Sequence, residues 1–288
     1  MSGGPQIALL PDGRRLHLHH GPIDLIVEAF GAKSEIEAAY SQAARRFDGL
    51  LQRLVDELDL LRMPIHELST EIVGPVARRM TAAVRPHASV FVTPMAAVAG
   101  AVADTVVAAM IDGRDLRRAY VNNGGDIALH LTDGESFTAG LVLEIDAPAI
   151  EGTATIPYLS SIRGIATSGW QGHSLSLGIA DSVTVLAHTA AQADVAATLI
   201  ANAVDVNHPA IHRAPANAIE LDNDLDDRLV TVDVRELDGL SIATALHRGE
   251  TVANAMWAKG LIVSAALKLQ GKTRTFGFDA LLGHQKVA

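Results

Sequence analysis

The sequence predicts an α+β fold, an antiparallel sheet packed with long helices, on three observations. Helix-spaced and strand-alternating apolar stretches come in groups instead of strict alternation, which argues against a doubly wound parallel sheet. Apolar residues make up 49% of 288, enough for a sizeable core. Aromatics are only 4%, so Ala and Val dominate and let helices and strands approach closely. One domain spanning the chain is expected, with no fixed-period repeat and no low-complexity linker.

Taken in order, Leu16 to Ile26 mixes apolar residues with His17, His19 and His20 and reads as a strand. Ser34 followed by Glu37 is a capping-box pattern. Ile36, Tyr40, Ala43, Phe47, Leu50, Leu54, Leu58 and Leu61 then recur at helical spacing, predicting one amphipathic helix that ends before Pro64. Thr93-Pro94 is a helix start, the hydroxyl capping free amides while Pro occupies a position that needs no N–H. The helix runs to about Met110. Residues 119–122, 126–131, 136–145 and 154–159 follow as strands of an antiparallel meander, with Asn123-Gly124-Gly125 and Asp133-Gly134 as turns.

Further on, 181–187 reads as strand and 189–203 as helix, followed by a polar loop with Asn207, His208, Arg213 and Asn217. An acidic stretch, Glu220 to Arg228, leads into a strand at 229–234. A last helix is expected over 250–269, interrupted by Gly260, with a closing strand at 273–278.

Charge and composition exclude several functions. Asp and Glu outnumber Lys and Arg by 33 to 23, and no basic cluster is present, so nucleic acid and anionic membrane surfaces are poor partners. The chain has no cysteine, which removes disulfides, thiolate metal sites and a Cys nucleophile. The first residues show no signal-peptide pattern. The apolar stretch from Val92 to Met110, broken by Pro94 and Asp104, reads as a buried helix and not a membrane span. A cytoplasmic protein is the expectation, and the Ala-rich faces allow a homodimer.

The run from Gly164 to Thr198 carries the most chemistry. Thr167, Ser168 and Gly169, with Gly172, His173 and Ser174, form a loop able to present backbone N–H groups to a phosphate, or simply a flexible surface loop. His173 is a candidate general base or phosphate partner. Trp170 offers a plane for stacking on a ring, or a packing anchor. Asp194 and Thr198 stand at i and i+4, so both can face one point, and a carboxylate with a hydroxyl suits Mg²⁺. The ordinary reading is a solvated Asp and a Thr bonded back to its helix. Asn122, Asn123, Gly124, Gly125 and Asp126 fit a ligand-contacting loop and a hairpin turn equally well. His17 and His19 share a strand face by alternation, yet no carboxylate pattern completes a site, and with His20 they read as exposed.

Three ordered segments resemble the ApbE-like superfamily, whose best known members are FAD:protein FMN transferases. Val121 to Asp126 is similar to the family's strand ending in Asn-x-Gly-Gly. Ala166-Thr167-Ser168-Gly169, with His173 following, is similar to its Thr-Ser-Gly loop and loop histidine. Val183 to Ala187, leading to Ala193-Asp194 and Ala197-Thr198, is similar to its strand and Ala-Asp-x-x-Ala-Thr helix. The resemblance covers roughly residues 90–205, and Thr93 to Gly100 resembles an uncharacterised cytoplasmic branch of the superfamily more than its lipoprotein transferases.

The resemblance implies an α+β ApbE-like fold, FAD as ligand or substrate, Mg²⁺ held by Asp194 and Thr198, and proton handling by His173 with Asp194 as catalytic group. Asn122 to Asp126, Thr167, Ser168, Gly169, Trp170 and Ser174 become cofactor-binding candidates. The family's Tyr, Glu and Arg after Thr-Ser-Gly are here Trp170, Gln171 and Gly172, and its His-x-x-Asp-Pro stretch is shortened. An FMN transferase with a protein acceptor, a FAD hydrolase, an enzyme acting on another small molecule, and a non-catalytic flavin-binding protein all stay open.

Overall fold

The computed structural model describes residues 4–142, 150–172 and 174–277. In chain order it contains β1 (Gln6–Leu9), β2 (Leu16–His20), β3 (Ile23–Gly31), α1 (Lys33–Phe47), α2 (Leu50–Val55), α3 (Leu58–Leu61) and α4 (Pro75–Val84). A 3₁₀ turn, Pro94–Ala97, opens onto α5 (Val98–Ile111), followed by β4 (Leu116–Asn123), β5 (Asp126–Leu131), β6 (Ser136–Val142), β7 (Ile150–Pro157), β8 (Gly164–Ser168) and β9 (Ser182–Ala187). Then come α6 (Ala190–Ala203), β10 (Ile211–Pro215), α7 (Ala216–Ile219), β11 (Leu229–Val234), α8 (Gly239–Ala258), β12 (Ser264–Leu269) and β13 (Lys272–Phe276). The chain divides into two compact units, Met1–Ser136 with Pro157–Ile165 and His188–Val195, and Phe137–Ile156 with Ala166–Ala187 and Ala196–Ala288.

In the first unit the strands lie in the order β1-β2-β3-β4-β5, every neighbour antiparallel, and Ile165 and Gly164 pair with Ile127 and Ala128. Alternation works as the sequence suggests: Leu16 and Leu18 of β2, Leu25 and Val27 of β3 and Val121 of β4 are buried. α1 supplies Ala39, Ala43 and Phe47 to the core, and α5 buries every residue from Gly100 to Val107. With its 3₁₀ start, α5 is the one helix among the described residues long and apolar enough to cross a membrane, and most of that stretch is buried inside the protein.

The second unit holds an antiparallel sheet in the order β9-β12-β13, and the pairs β10-β11 and β6-β7. All six residues of β9 and all six of β12 are buried. α8 packs through Ile242, Ala245, Leu246, Gly249, Ala253 and Met256. A Cβ on Gly249 would run into the side chains of Val204 and Leu267, so the glycine permits that helix to lie close.

Several expectations change. The predicted long helix is three pieces: Gly49 takes a φ of +64° and turns the chain between α1 and α2, and Glu57, outside helical geometry, separates α2 from α3. The capping box is absent: α1 begins at Lys33 after Ala32, no side chain caps it, and Glu37 faces Lys33 at 3.8 Å. The first predicted strand is a hairpin, β2 and β3, turning at Gly21, whose φ is +58°. β4 and β5 form the expected hairpin, but β6 and β7 pair with each other, so the meander is incomplete. The last helix starts at Gly239, capped by Asp238 Oδ1 with 2.9 Å bonds from the amides of Leu240 and Ser241. Residues 264–269 are strand, since after Gly260 the fully buried run lies between β9 and β13. β1 and β10 carried no signal strong enough to read.

Candidate functional site

The first unit builds its most unusual chemistry where α5 and the start of α6 meet. Gly100 is the reason they can: a Cβ there would overlap the backbone of Ala190 and Ala191. Each helix then caps the other. From within α5, Asp104 accepts the amide protons of Ala190 (Oδ1, 3.0 Å) and Ala191 (Oδ2, 2.9 Å). From within α6, Asp194 Oδ2 accepts the amide proton of Gly100 at 3.0 Å. The exchange satisfies amides that the first turn of a helix leaves without partners, and places negative charge at the positive end of each dipole. Thr189 completes the α6 start, its Oγ1 accepting from Gln192 N–H at 3.2 Å.

Two carboxylates this close to apolar helix faces resist ionisation. Desolvation pushes Asp194 up to about 7, opposed by the amides of Gly100 and Ala99 and reinforced by the negative charge of Asp104. Asp104 is also raised by desolvation, held back by the amides of Ala191 and Ala190 and by the charge of Arg79.

Asn123 joins this cluster. Its buried side chain donates from Nδ2 to the carbonyl of Ala99 at 3.1 Å, one residue from the amide that Asp194 holds. Two residues singled out in the sequence, far apart along the chain, thus grip adjacent residues of the first turn of α5. Asn122 points to the other face of the sheet, where its Oδ1 accepts the Gly125 amide at 2.8 Å. Gly124 and Gly125 form the two-residue turn between β4 and β5, with φ of +61° and +113° and open space where side chains would stand. The hairpin reading of this segment is realised, and Asp126 is the first residue of β5.

In the second unit, Thr167 Oγ1 lies 2.9 Å from Thr184 Oγ1, joining β8 to β9. Gly169 is buried against the backbone of Ala180 and Asp181, where a Cβ has no room. The amides of Trp170 and Gly172 donate to Ala180 and Gly169 carbonyls at 3.0 and 3.1 Å, so part of the predicted N–H nest is spent within the loop. The Trp170 indole donates to Asp181 Oδ1 at 3.4 Å and is half-buried, which is anchoring as well as display. Ser168 ends β8, partly buried, and Ser174 is exposed. Thr198 stands one turn beyond Asp194 on α6, partly exposed. His173 lies outside the described residues.

In the sequence Asp104 stands out only as an interruption of an apolar stretch. The available signal is that the one carboxylate inside an otherwise nearly apolar helix must find donors when buried.

The fold and this pair of raised carboxylates define an α+β protein with an acidic cluster at crossed helix termini. A family model described as "AbpE bacteria" matches residues 7–275, and the chain belongs to that ApbE-like family. A UPF0280 protein from Methanothermobacter thermautotrophicus is 38% identical over 155 residues, 52% of this chain and 56% of that protein. One from Methanopyrus kandleri is 35% identical over 175 residues, 59% of this chain and 66% of its own length. The chain therefore spans less than two thirds of the curated relatives it matches. Among solved structures, the apo form of Pseudomonas stutzeri flavinyl transferase ApbE aligns over 98% of this chain and 99% of its own at 11% identity, with a TM-score of 0.44. The ApbE protein of Thermotoga maritima covers 85% of this chain and 76% of its own at 12% identity and a TM-score of 0.37.

Proposed function

We propose that this protein binds a flavin nucleotide, FAD, together with Mg²⁺, and that Asp194 and Thr198 are the protein's ligands to the cation. The observation that carries the reading is the half-buried Asp194 carboxylate, raised to about 7 beside a second buried carboxylate. Such a pair gains most from a nearby cation. The donor set fits: a carboxylate has about four lone-pair sites, and two amide N–H bonds leave room for a metal. Carboxylate and hydroxyl oxygens match the hardness of Mg²⁺, which keeps waters and takes phosphate oxygens for the rest of its shell. Family membership supports flavin as the nucleotide.

Bound there, Mg²⁺ would neutralise charge on a pyrophosphate. The chain's own residues hold and orient. Asn123 fixes the α5 terminus that carries the Asp194 bond, and Asn122 keeps the Gly124-Gly125 turn in shape. The loop residues Thr167, Ser168 and Ser174, as hydroxyl donors, and His173, for proton handling, enter the proposal through the family resemblance alone. The acceptor is a protein hydroxyl in a transferase and water in a FAD hydrolase. The engagement of the Trp170 indole with Asp181 favours a second reading, an enzyme acting on another small molecule, because the family's Tyr-Glu-Arg contacts are replaced by a packed residue.

A thermal-shift titration with FAD, with and without Mg²⁺, tests the reading. Asp194→Asn is the right variant because it keeps an acceptor for the Gly100 amide while removing the charge. Stabilisation should approach about 2.7 kcal/mol at a hundredfold excess of ligand over Kd. A Mg²⁺-dependent shift lost in the variant is expected. No shift under either condition overturns the flavin reading and leaves the second one.

A further inference from the structure

β2 and β3 form a hairpin whose two faces differ sharply. Leu16 and Leu18 point inward with His20, whose ring meets Phe47 edge-on at 6.5 Å. His17 and His19 alternate to the other face, with ring centroids 6.1 Å apart. The antiparallel register sets Asp24 of β3 directly opposite His19. Sequence reasoning found no carboxylate to complete a histidine site; the hairpin supplies one.

We propose that His17, His19 and Asp24 form a binding site for a divalent transition metal ion of the Zn²⁺ class. One ligand atom from each lies within 4.8 Å of the other two. His17 Nε2 is 2.6 Å from Asp24 Oδ1, and His19 Nδ1 is 3.9 Å from Asp24 Oδ2. Ligands at about 2.0 to 2.1 Å from a tetrahedral ion stand about 3.3 Å apart; His17 is closer than this to one Asp24 oxygen and His19 farther than this from the other, so side-chain rotation has to adjust both.

A simple ion pair accounts for His17 and Asp24 alone. It leaves His19 unexplained, since 3.9 Å is too long for a hydrogen bond, although the imidazole faces the second carboxylate oxygen. Two imidazoles with one carboxylate suit Zn²⁺ and its neighbours, and disfavour Mg²⁺, which prefers oxygen throughout. All three residues are rooted in strands of a packed sheet, the kind of support that gives a site precision. Asp24 is exposed and both histidines are partly so, which leaves further coordination positions to water or to a small ligand. A bound ion would cross-link β2 to β3 and stabilise the folded state.

The test uses the full chain without a polyhistidine tag, stripped with chelator and titrated with Zn²⁺ by calorimetry and with Co²⁺ by visible absorption. One equivalent of each is expected, with Co²⁺ giving the intense d–d bands of a tetrahedral site. His19→Ala leaves the His17–Asp24 pair intact and should weaken binding by more than the about 10–100-fold that loss of an outer-shell partner costs. Asp194→Asn should bind as the native protein does, which keeps this site separate from the Mg²⁺ proposal. Absence of stoichiometric binding, or a His19→Ala variant that binds as tightly as the native chain, overturns the assignment. If His19→Ala shifts the metal-free urea midpoint, His19→Gln is read in its place by the same criteria.

Discussion

Asp104 and Asp194 stand in mirrored roles, each inside one helix and each accepting amide protons at the start of the other, yet they end in different surroundings. Asp104 is 8% exposed and gives one oxygen to each of two amides, with Thr189 as a further partner. Asp194 reaches partly to solvent and sits one turn before Thr198. A carboxylate whose oxygens are consumed by a helix terminus is structural. Asp194 has the same task but is partly exposed, and it is the carboxylate on which the Mg²⁺ proposal rests. The difference teaches that two carboxylates with the same capping task can differ in what is able to reach their remaining lone pairs.

Asp104→Ala should have the largest effect. It leaves the buried amides of Ala190 and Ala191 without acceptors and should cost about 2–3 kcal/mol, read as a lowered urea midpoint with unchanged slope. A loss no greater than that of Asp194→Asn would erase the distinction drawn above.

Gly100→Ala comes next. Its Cβ meets backbone, which cannot rotate away, so the helices must separate at a cost of about 1–3 kcal/mol. Both caps should loosen together, visible as faster amide exchange at Gly100, Ala190 and Ala191.

Asp194→Asn should change stability less, by about 1 kcal/mol, while abolishing the Mg²⁺-dependent FAD shift. Its pH signature is specific. The native carboxyl, raised to about 7 from an unfolded value near 3.8, favours the folded state fully below the unfolded value and loses that contribution as pH rises through about 7. Unfolding free energies measured from pH 4 to 8 should therefore decline for the native chain relative to Asp194→Asn. Parallel curves would show that Asp194 is not the titrating group.

Thr189→Ala should be the mildest, about 0.5–1 kcal/mol, because Asp104 continues to hold the α6 terminus.

Much of the architecture was legible in the chain. The Gly124-Gly125 hairpin, β9 followed by α6, and the Thr93-Pro94 entry to α5 all follow from local rules, and Thr93 does cap, accepting the Met95 amide at 3.2 Å. Where local rules competed, reading faltered. Residues 264–269, Ser-Ala-Ala-Leu-Lys-Leu, carry no spacing that separates strand from helix, and only pairing with β9 decides it. The helical pattern from Ile36 to Leu61 continued through Gly49, where a positive φ outweighed an unbroken apolar stripe. At the candidate site, Asp194 was visible through its spacing from Thr198. Its partner Asp104 was not, because the two helices are joined by contacts between residues 86 to 94 places apart in the chain.

The sequence by itself determined the α+β class, the alternation that puts His17 and His19 on one face, the glycine turns, and the positions of Asp194, Thr198 and the Thr167 to Gly169 loop. These depend on interactions between residues a few places apart, where spacing and backbone freedom set the outcome. Tertiary structure decided which carboxylates became caps, that Asn123 and Asp194 grip one helix turn, and that Asp24 stands against His19. A buried polar group takes its partners from whatever the packed chain brings within 3 Å or so, and the pairing across β2 and β3 or between α5 and α6 exists only once those elements have docked.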